Sequence, residues 1–185
     1  SSCLIVADIP FMDSATTQDA VDTARKLMQA GAHVVKIEGG TNLVDLVKLY
    51  RDQGAATCCH LGLTPQFVNL FSGYRVQGRT DETAKRLIDA AVALDAAGTD
   101  LILLECVPNH VTEAIMNVTT VPVIGIGAGP STTGQVLVMH DLLGVTPGKT
   151  ARFVKNFMAS ADSILDAFQA YDRAVKNGSF PAPEH

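Results

Sequence analysis

The feature that most constrains this chain is a repeated alternation. Six short apolar runs rich in β-branched residues fall at 4–7, 34–37, 56–59, 101–104, 121–126 and 136–139, separated by segments of helical periodicity. A strand wet on one face alternates apolar and polar residues. Nearly continuous apolarity therefore predicts strands covered on both faces, as in a parallel sheet. The intervening pattern predicts helices over 17–30, 42–52, 80–97 and 111–116, with two more over 152–158 and 162–176. Helix punctuation agrees: Thr16-Thr17 and Thr80 with Glu82 stand at helix starts, and Gly31 and Gly98 at helix ends.

Repeated β-α units build either an open doubly wound sheet or part of a (β/α)8 TIM barrel. The residues at the end of each run help to decide. The runs end in Asp8, in Lys36 and Glu38, in His60, in Glu105, in the glycine-rich stretch from Gly125 to Gly129, and in His140-Asp141. In a barrel these strand ends converge on one mouth, whereas an open sheet spreads them across its width. A single α/β barrel domain over 1–185 is the expectation. Because a barrel needs eight strands, about two β-α units are expected upstream of Ser1, so the domain reads as N-terminally incomplete.

Charge and composition narrow the function. Lys and Arg number 14 against 19 Asp and Glu, a net charge of −5. Nucleic-acid binding, which needs clustered cations, is not expected. Tryptophan is absent and aromatic residues are 5% of the chain, which gives no base-stacking platform. No apolar run approaches the ~20 residues of a membrane span. Cys3, Cys58, Cys59 and Cys106 show neither a C-x-x-C pair nor a repeated spacing. Reduced thiols in a cytoplasmic setting fit better than disulfides or structural zinc.

The carboxylates Asp8, Glu38 and Glu105 each follow an apolar run directly, where burial is costly without a partner or a metal. Oxygen ligands at such positions suit Mg²⁺ or a similar divalent ion. The alternative is that each caps a helix or pairs with a lysine. Lys36 lies two residues before Glu38, hence on the same side of its strand. It either holds a substrate carboxylate or pairs with Glu38 or Asp8. His60 reads equally as a ligand or acid–base group and as a hydrogen-bonded core histidine. Cys58 and Cys59 face opposite sides and read as packing residues. His140-Asp141 is a possible orienting dyad, with helix capping the alternative for Asp141. The stretch Gly125-Ile126-Gly127-Ala128-Gly129 fails the dinucleotide pattern at Pro130. It reads as a small-residue loop whose backbone could approach a ligand.

Several strings together resemble the ketopantoate hydroxymethyltransferase family. They are Ala7-Asp8-Ile9-Pro10-Phe11-Met12, Val35-Lys36-Ile37-Glu38-Gly39-Gly40 and His60-Leu61-Gly62-Leu63-Thr64-Pro65-Gln66. Beyond these come Gly73-Tyr74-Arg75-Val76-Gln77-Gly78, Leu104-Glu105-Cys106-Val107-Pro108 and Gly134-Gln135-Val136-Leu137-Val138-Met139-His140-Asp141. Their order and spacing run over essentially the whole chain.

The resemblance implies a barrel of the phosphoenolpyruvate/pyruvate type. It also implies transfer of a one-carbon unit from 5,10-methylenetetrahydrofolate to the keto acid 3-methyl-2-oxobutanoate, in a homo-oligomer that is commonly a decamer. By matching motif, Asp8 is implied as a ligand of the divalent metal and a substrate contact, and Glu38 as a further carboxylate of the metal site. Lys36 is implied to hold the substrate and Glu105 to accept the proton. Glu105 closes an apolar run, a setting that can raise a carboxylate's pKa and suit it to that role. His60 is a further candidate contact to the substrate. The chain departs from the family's pattern at Ser72 and Thr133, and it lacks a Gly-Asp-Ser motif that carries a second metal aspartate. Two other readings compete. A Mg²⁺-dependent carbon–carbon lyase or phosphonomutase on the same barrel would need a catalytic cysteine, for which Cys106 is the one candidate at a strand end. The third reading is a non-catalytic barrel module.

Overall fold

The computed structural model describes residues 3–70 and 73–182. In chain order its elements are β1 (Val6–Asp8), α1 (Thr17–Gln29), β2 (Val34–Glu38), α2 (Val44–Asp52), β3 (Ala56–Gly62), α3 (Asp81–Ala97), β4 (Leu101–Glu105), α4 (Asn109–Val118), β5 (Val123–Ile126), β6 (Gly134–Gln135), α5 (Met139–Leu142) and α6 (Ile164–Lys176). The strands form one sheet in the order β1-β2-β3-β4-β5-β6, every pair parallel. The order never reverses, so the switch point of a doubly wound sheet is missing among the described residues.

Strands β2 to β5 each have two packed faces, as their continuous apolarity requires. Outward, Val35, Ile37, Cys59, Leu61, Ile102, Leu104 and Val123 pack against residues of α1 to α4 such as Ala24, Val47, Leu94 and Ile115. Inward, Val34, Cys58, Leu103 and Ile126 meet Leu142, Phe157, Ala167, Ala174 and Phe180 from the chain's last third. Burying each of these Leu or Val side chains contributes roughly 1.5–3 kcal/mol. Cys58 and Cys59 do point to opposite faces, and Cys58, Cys59 and Cys106 carry free thiols.

The helices begin and end where local chemistry dictates. Thr16 caps α1 by accepting from the Asp19 amide. Thr80 caps α3, but its reciprocal partner is Thr83 rather than Glu82. Gly98 ends α3 in the left-handed conformation (φ 94°) that a side chain resists.

Three expectations are corrected. The first strand lies at Val6–Asp8 rather than 4–7, and as an edge strand with one neighbour it is not buried; Leu4 is 70% exposed. The last apolar run is not a strand throughout: β6 covers Gly134–Gln135 and Met139 already opens α5. No helix spans 152–158. The Phe157 amide donates to the Leu142 carbonyl, and the Asn156 side chain takes the amides of Met158 and Ala159, so those groups are withdrawn from a helical ladder. Ser72 lies outside the described residues.

Candidate active site

Strand register places the predicted residues side by side. Asp8 pairs with Lys36 across β1 and β2, Glu38 with His60 across β2 and β3, and Gly62 with Glu105 across β3 and β4. The period of two puts Lys36, Glu38 and His60 on the inward face with Val34 and Cys58. Gly62 carries no side chain, which leaves Glu105 room to lean across β3 toward His60.

A ladder of alternating charge results. The Lys36 ammonium pairs with Asp8 and lies 3.5 Å from Glu38 Oε1. Glu38 Oε1 lies 3.4 Å from His60 Nδ1, and His60 Nε2 lies 3.3 Å from Glu105 Oε2. The Glu38 and His60 side chains are 5% and 2% exposed, whereas that of Asp8 is 58% exposed at the rim. Each imidazole nitrogen thus lies within 3.4 Å of a carboxylate oxygen, though neither contact has the alignment of a well-formed hydrogen bond. Thus Asp8, Lys36, Glu38, His60 and Glu105 are brought together, with Lys36 and His60 interleaved among the acids.

The environment moves two of these groups. Burial works to raise the Glu38 pKa, but His60, the Gln66 amide and Lys36 together hold it below the ordinary carboxylate value. Burial works to lower the His60 pKa, yet the carboxylates of Glu105 and Glu38 carry it above the ordinary imidazole value. Glu105 is not enclosed by the apolar run that precedes it, since its carboxylate faces an imidazole.

For a divalent ion the donors are unequal. Among the described residues no group of three or more His, Cys, Asp and Glu side chains converges on one point. Asp8 offers exposed, hard oxygens at the rim and fits as an anchor. Glu38 has both oxygens engaged, Oε1 by Lys36 and His60 and Oε2 by the Gln66 amide at 2.9 Å. It fits such an ion only through water. This suits Mg²⁺, which keeps several waters and takes one or two carboxylates.

The other candidates are placed elsewhere. His140 is exposed, and Asp141 accepts from the Thr146 hydroxyl at 2.5 Å, so no dyad forms and Asp141 is not a cap. In the glycine-rich loop a Cβ at Gly127 would lie 2.5 Å from the Phe153 ring, and one at Gly129 2.2 Å from Asn109. Those glycines admit protein side chains rather than a ligand. Thr133 fastens the start of β5, accepting from the Val123 amide. Cys106 is half-buried, and burial followed by the charge of Glu105 pushes its thiol up to about 12, the reverse of what a nucleophile needs. A cavity of about 520 Å³ opens against α3, lined by Gly39 and Asn42 of the loop after β2 and by Leu61, Phe67 and Leu87, and none of the five charged residues lines it.

Comparison with known proteins decides the family. A family model described as ketopantoate hydroxymethyltransferase matches residues 1–183. The chain belongs to the ketopantoate hydroxymethyltransferase family. A 3-methyl-2-oxobutanoate hydroxymethyltransferase of Marinobacter nauticus is 56% identical over 182 residues, which are 98% of this chain and 69% of that protein. Its counterpart in Alcanivorax borkumensis is 54% identical over 98% of this chain and 70% of that protein. One from Hahella chejuensis is 54% identical over 100% of this chain and 70% of that protein. No helix among the described residues of this ketopantoate hydroxymethyltransferase family member is long and apolar enough to cross a membrane.

Sequence reasoning missed Gln66. Its amide binds Glu38, and its side chain donates to the Ile9 carbonyl at 2.8 Å, tying the β1 loop to the β3 loop behind the ladder. The signal was present in Thr64-Pro65-Gln66. Proline at the first position of a helical turn leaves the next amides free to meet an anion.

Proposed function

We propose that this chain transfers a hydroxymethyl group from 5,10-methylenetetrahydrofolate to 3-methyl-2-oxobutanoate, giving 2-dehydropantoate (ketopantoate) for pantothenate and coenzyme A synthesis. The observation that carries this is the ladder of Asp8, Lys36, Glu38, His60 and Glu105 on adjacent strand ends, in a chain that matches the family from end to end. The wider architecture on this reading is a (β/α)8 barrel with the active site at the carboxyl ends of its strands. It is supported by six parallel strands in unreversed order and by α1 to α4 sharing one face.

Each residue then has a role. Lys36 offers its ammonium to the keto-acid carboxylate. Glu105 accepts the proton from C3, and His60 beside it orients the carboxylate and shares the charge. Glu38, fixed by Gln66, holds His60 and Lys36 in place. Asp8 would hold a divalent ion, Mg²⁺ by the hardness of its oxygens. When bound, that ion draws electron density from the ketone and makes C3–H more acidic. In the net reaction C3 forms a bond to the donor's methylene carbon, and both bonds from that carbon to folate nitrogens break. Water supplies the hydroxyl oxygen, and the two nitrogens take up the C3 proton and the remaining proton of that water.

Glu105→Gln tests the assignment in the enzyme as its gene encodes it. Keto-acid binding is expected to survive, while exchange of the C3 hydrogen for deuterium with Mg²⁺ and without folate falls by ~10²-fold or more. Exchange at the parental rate in a folded variant would place the base elsewhere, with His60 next in line.

A further inference from the structure

We infer that Cys106 is a positioning residue for Glu105, acting through its backbone and not its thiol. The inference rests on Glu105 being the proton acceptor, and it concerns what holds that acceptor in reach.

Cys106 has φ of +51°, a left-handed conformation adopted by only one other non-glycine residue, Met12, among those described. For an L-residue this region costs free energy, and only glycine, with asparagine and aspartate to a lesser degree, visits it readily. The surroundings pin the conformation from three sides. The Cys106 amide donates to the Ile126 carbonyl of β5 at 3.0 Å, and its carbonyl accepts from the Gln77 amide at 2.8 Å. On the other flank the Glu105 carbonyl accepts from the Leu63 amide at 2.8 Å. Beyond, the Val107 amide donates to the Gly127 carbonyl at 3.2 Å.

This geometry bears directly on the site. Glu105 is the last residue of β4, and an extended residue after it would carry the strand straight on. The left-handed turn at Cys106 instead ends β4 at that point and locks the peptide between them against β3 and β5. The Cα–Cβ direction of Glu105 is thereby fixed, and its carboxylate stays 3.3 Å from His60. A base displaced by about 1 Å can lose ~10²-fold in rate, so a clamp on the adjoining peptide is worth its local strain.

The test compares side chains by their tolerance of this backbone. Cys106→Gly and Cys106→Asn accept the left-handed region, whereas Cys106→Val and Cys106→Thr, branched at Cβ, resist it. Expected for Gly and Asn is C3 exchange within about threefold of the parent. Expected for Val or Thr is a fall of ~10²-fold in kcat with the keto-acid KM within about threefold. Crystal structures of the variants read the Glu105–His60 separation directly, expected to be kept in Gly and Asn and lost in Val or Thr. That distance reports on positioning whether or not Glu105 is the base, which Glu105→Gln tests separately. Losses as large in Gly and Asn as in Val would assign the effect to the thiol and overturn the inference. So would an unchanged separation in Val or Thr. Failure of both branched variants to fold, while Gly and Asn fold, would reduce the requirement to one of folding alone and equally overturn it.

Discussion

Replacing His60 with glutamine removes the titratable group held between Glu38 and Glu105 while keeping a polar side chain of similar size. His60 is buried, with Glu38 at 3.4 Å and Glu105 at 3.3 Å on its two nitrogens. Taking one partner from a buried ion pair costs about 3–5 kcal/mol. The lower end applies, since Lys36 and the Gln66 amide still serve Glu38. At roughly 2–4 °C per kcal/mol for a domain this size, a loss of about 3 kcal/mol lowers Tm by roughly 6–12 °C. The pH dependence is the sharper test. His60 sits above its ordinary 6.5, so the native state holds this proton more tightly than the unfolded chain. Its contribution is full below about 6.5 and is lost as pH rises through the native value. Glu38 sits below its ordinary 4.5; its contribution is full above that value and is lost as pH falls through the native one. The gap between parent and His60→Gln, measured by urea unfolding with unchanged m-value, should be widest at roughly pH 5 to 6.5 and close on both sides. A gap below about 1 kcal/mol at pH 6, or one as large at pH 9 as at pH 6, would refute the pairing argument.

Asp8→Asn keeps the size of the side chain and removes its charge. Keto-acid affinity in the presence of Mg²⁺ should weaken and recover in part with excess metal, as read by isothermal titration; an unchanged affinity at low and high Mg²⁺ would move the anchor away from Asp8. Gly62→Ala places a Cβ at φ +89°, 2.3 Å from the Glu105 carbonyl oxygen and 2.7 Å from Val107 Cγ2. Backbone strain and overpacking together should cost about 3 kcal/mol, a fall in Tm of roughly 6–12 °C with slowed C3 exchange. A melt within about 2 °C of the parent would mean that the ends of β3 and β4 move apart freely.

Five of the six strands were legible because a strand packed on both faces must be apolar along its length, and 34–37, 56–59 and 101–104 are. The rule fails at the margins of the sheet. Leu4 and Val138 are as apolar as Val35 but are exposed, because periodicity reports what a residue is and not whether another strand covers it. The region 152–158 misled for a different reason. Its amides are claimed by Asn156 and by the distant Leu142 carbonyl, and a local pattern does not register competition from across the fold. At the site, strand-end position marked Asp8, Lys36, Glu38, His60 and Glu105 along with the Gly125–Gly129 stretch and His140-Asp141, and the family resemblance narrowed the set to the first five. What it could not yield was their order of contact. The apolar run before Glu105 suggested an apolar enclosure, yet register and the bare Cα of Gly62 turn that carboxylate toward His60. Nor does any composition rule mark a cysteine as left-handed, since Cys106 owes its φ to partners on β5 and on the loop at Gln77.

On the proposed assignment of roles, the order of contact along the ladder governs binding. Three carboxylates face two cations, so the site carries a net charge of −1 with His60 protonated and −2 without it. An incoming keto-acid carboxylate adds to that excess, and the exposed pair of Lys36 with Asp8 is the point where it can be met. Glu38 is fixed by Gln66 and buried, so it cannot yield its share of Lys36 without leaving a charge unpaired in a dry setting. Asp8 can, because its carboxylate is in water at the rim. On the role proposed for Lys36, substrate therefore competes with Asp8 for its ammonium. A divalent ion on Asp8 would supply the cation that this exchange removes from it, and binding of ion and keto acid at this rim should then be mutually reinforcing.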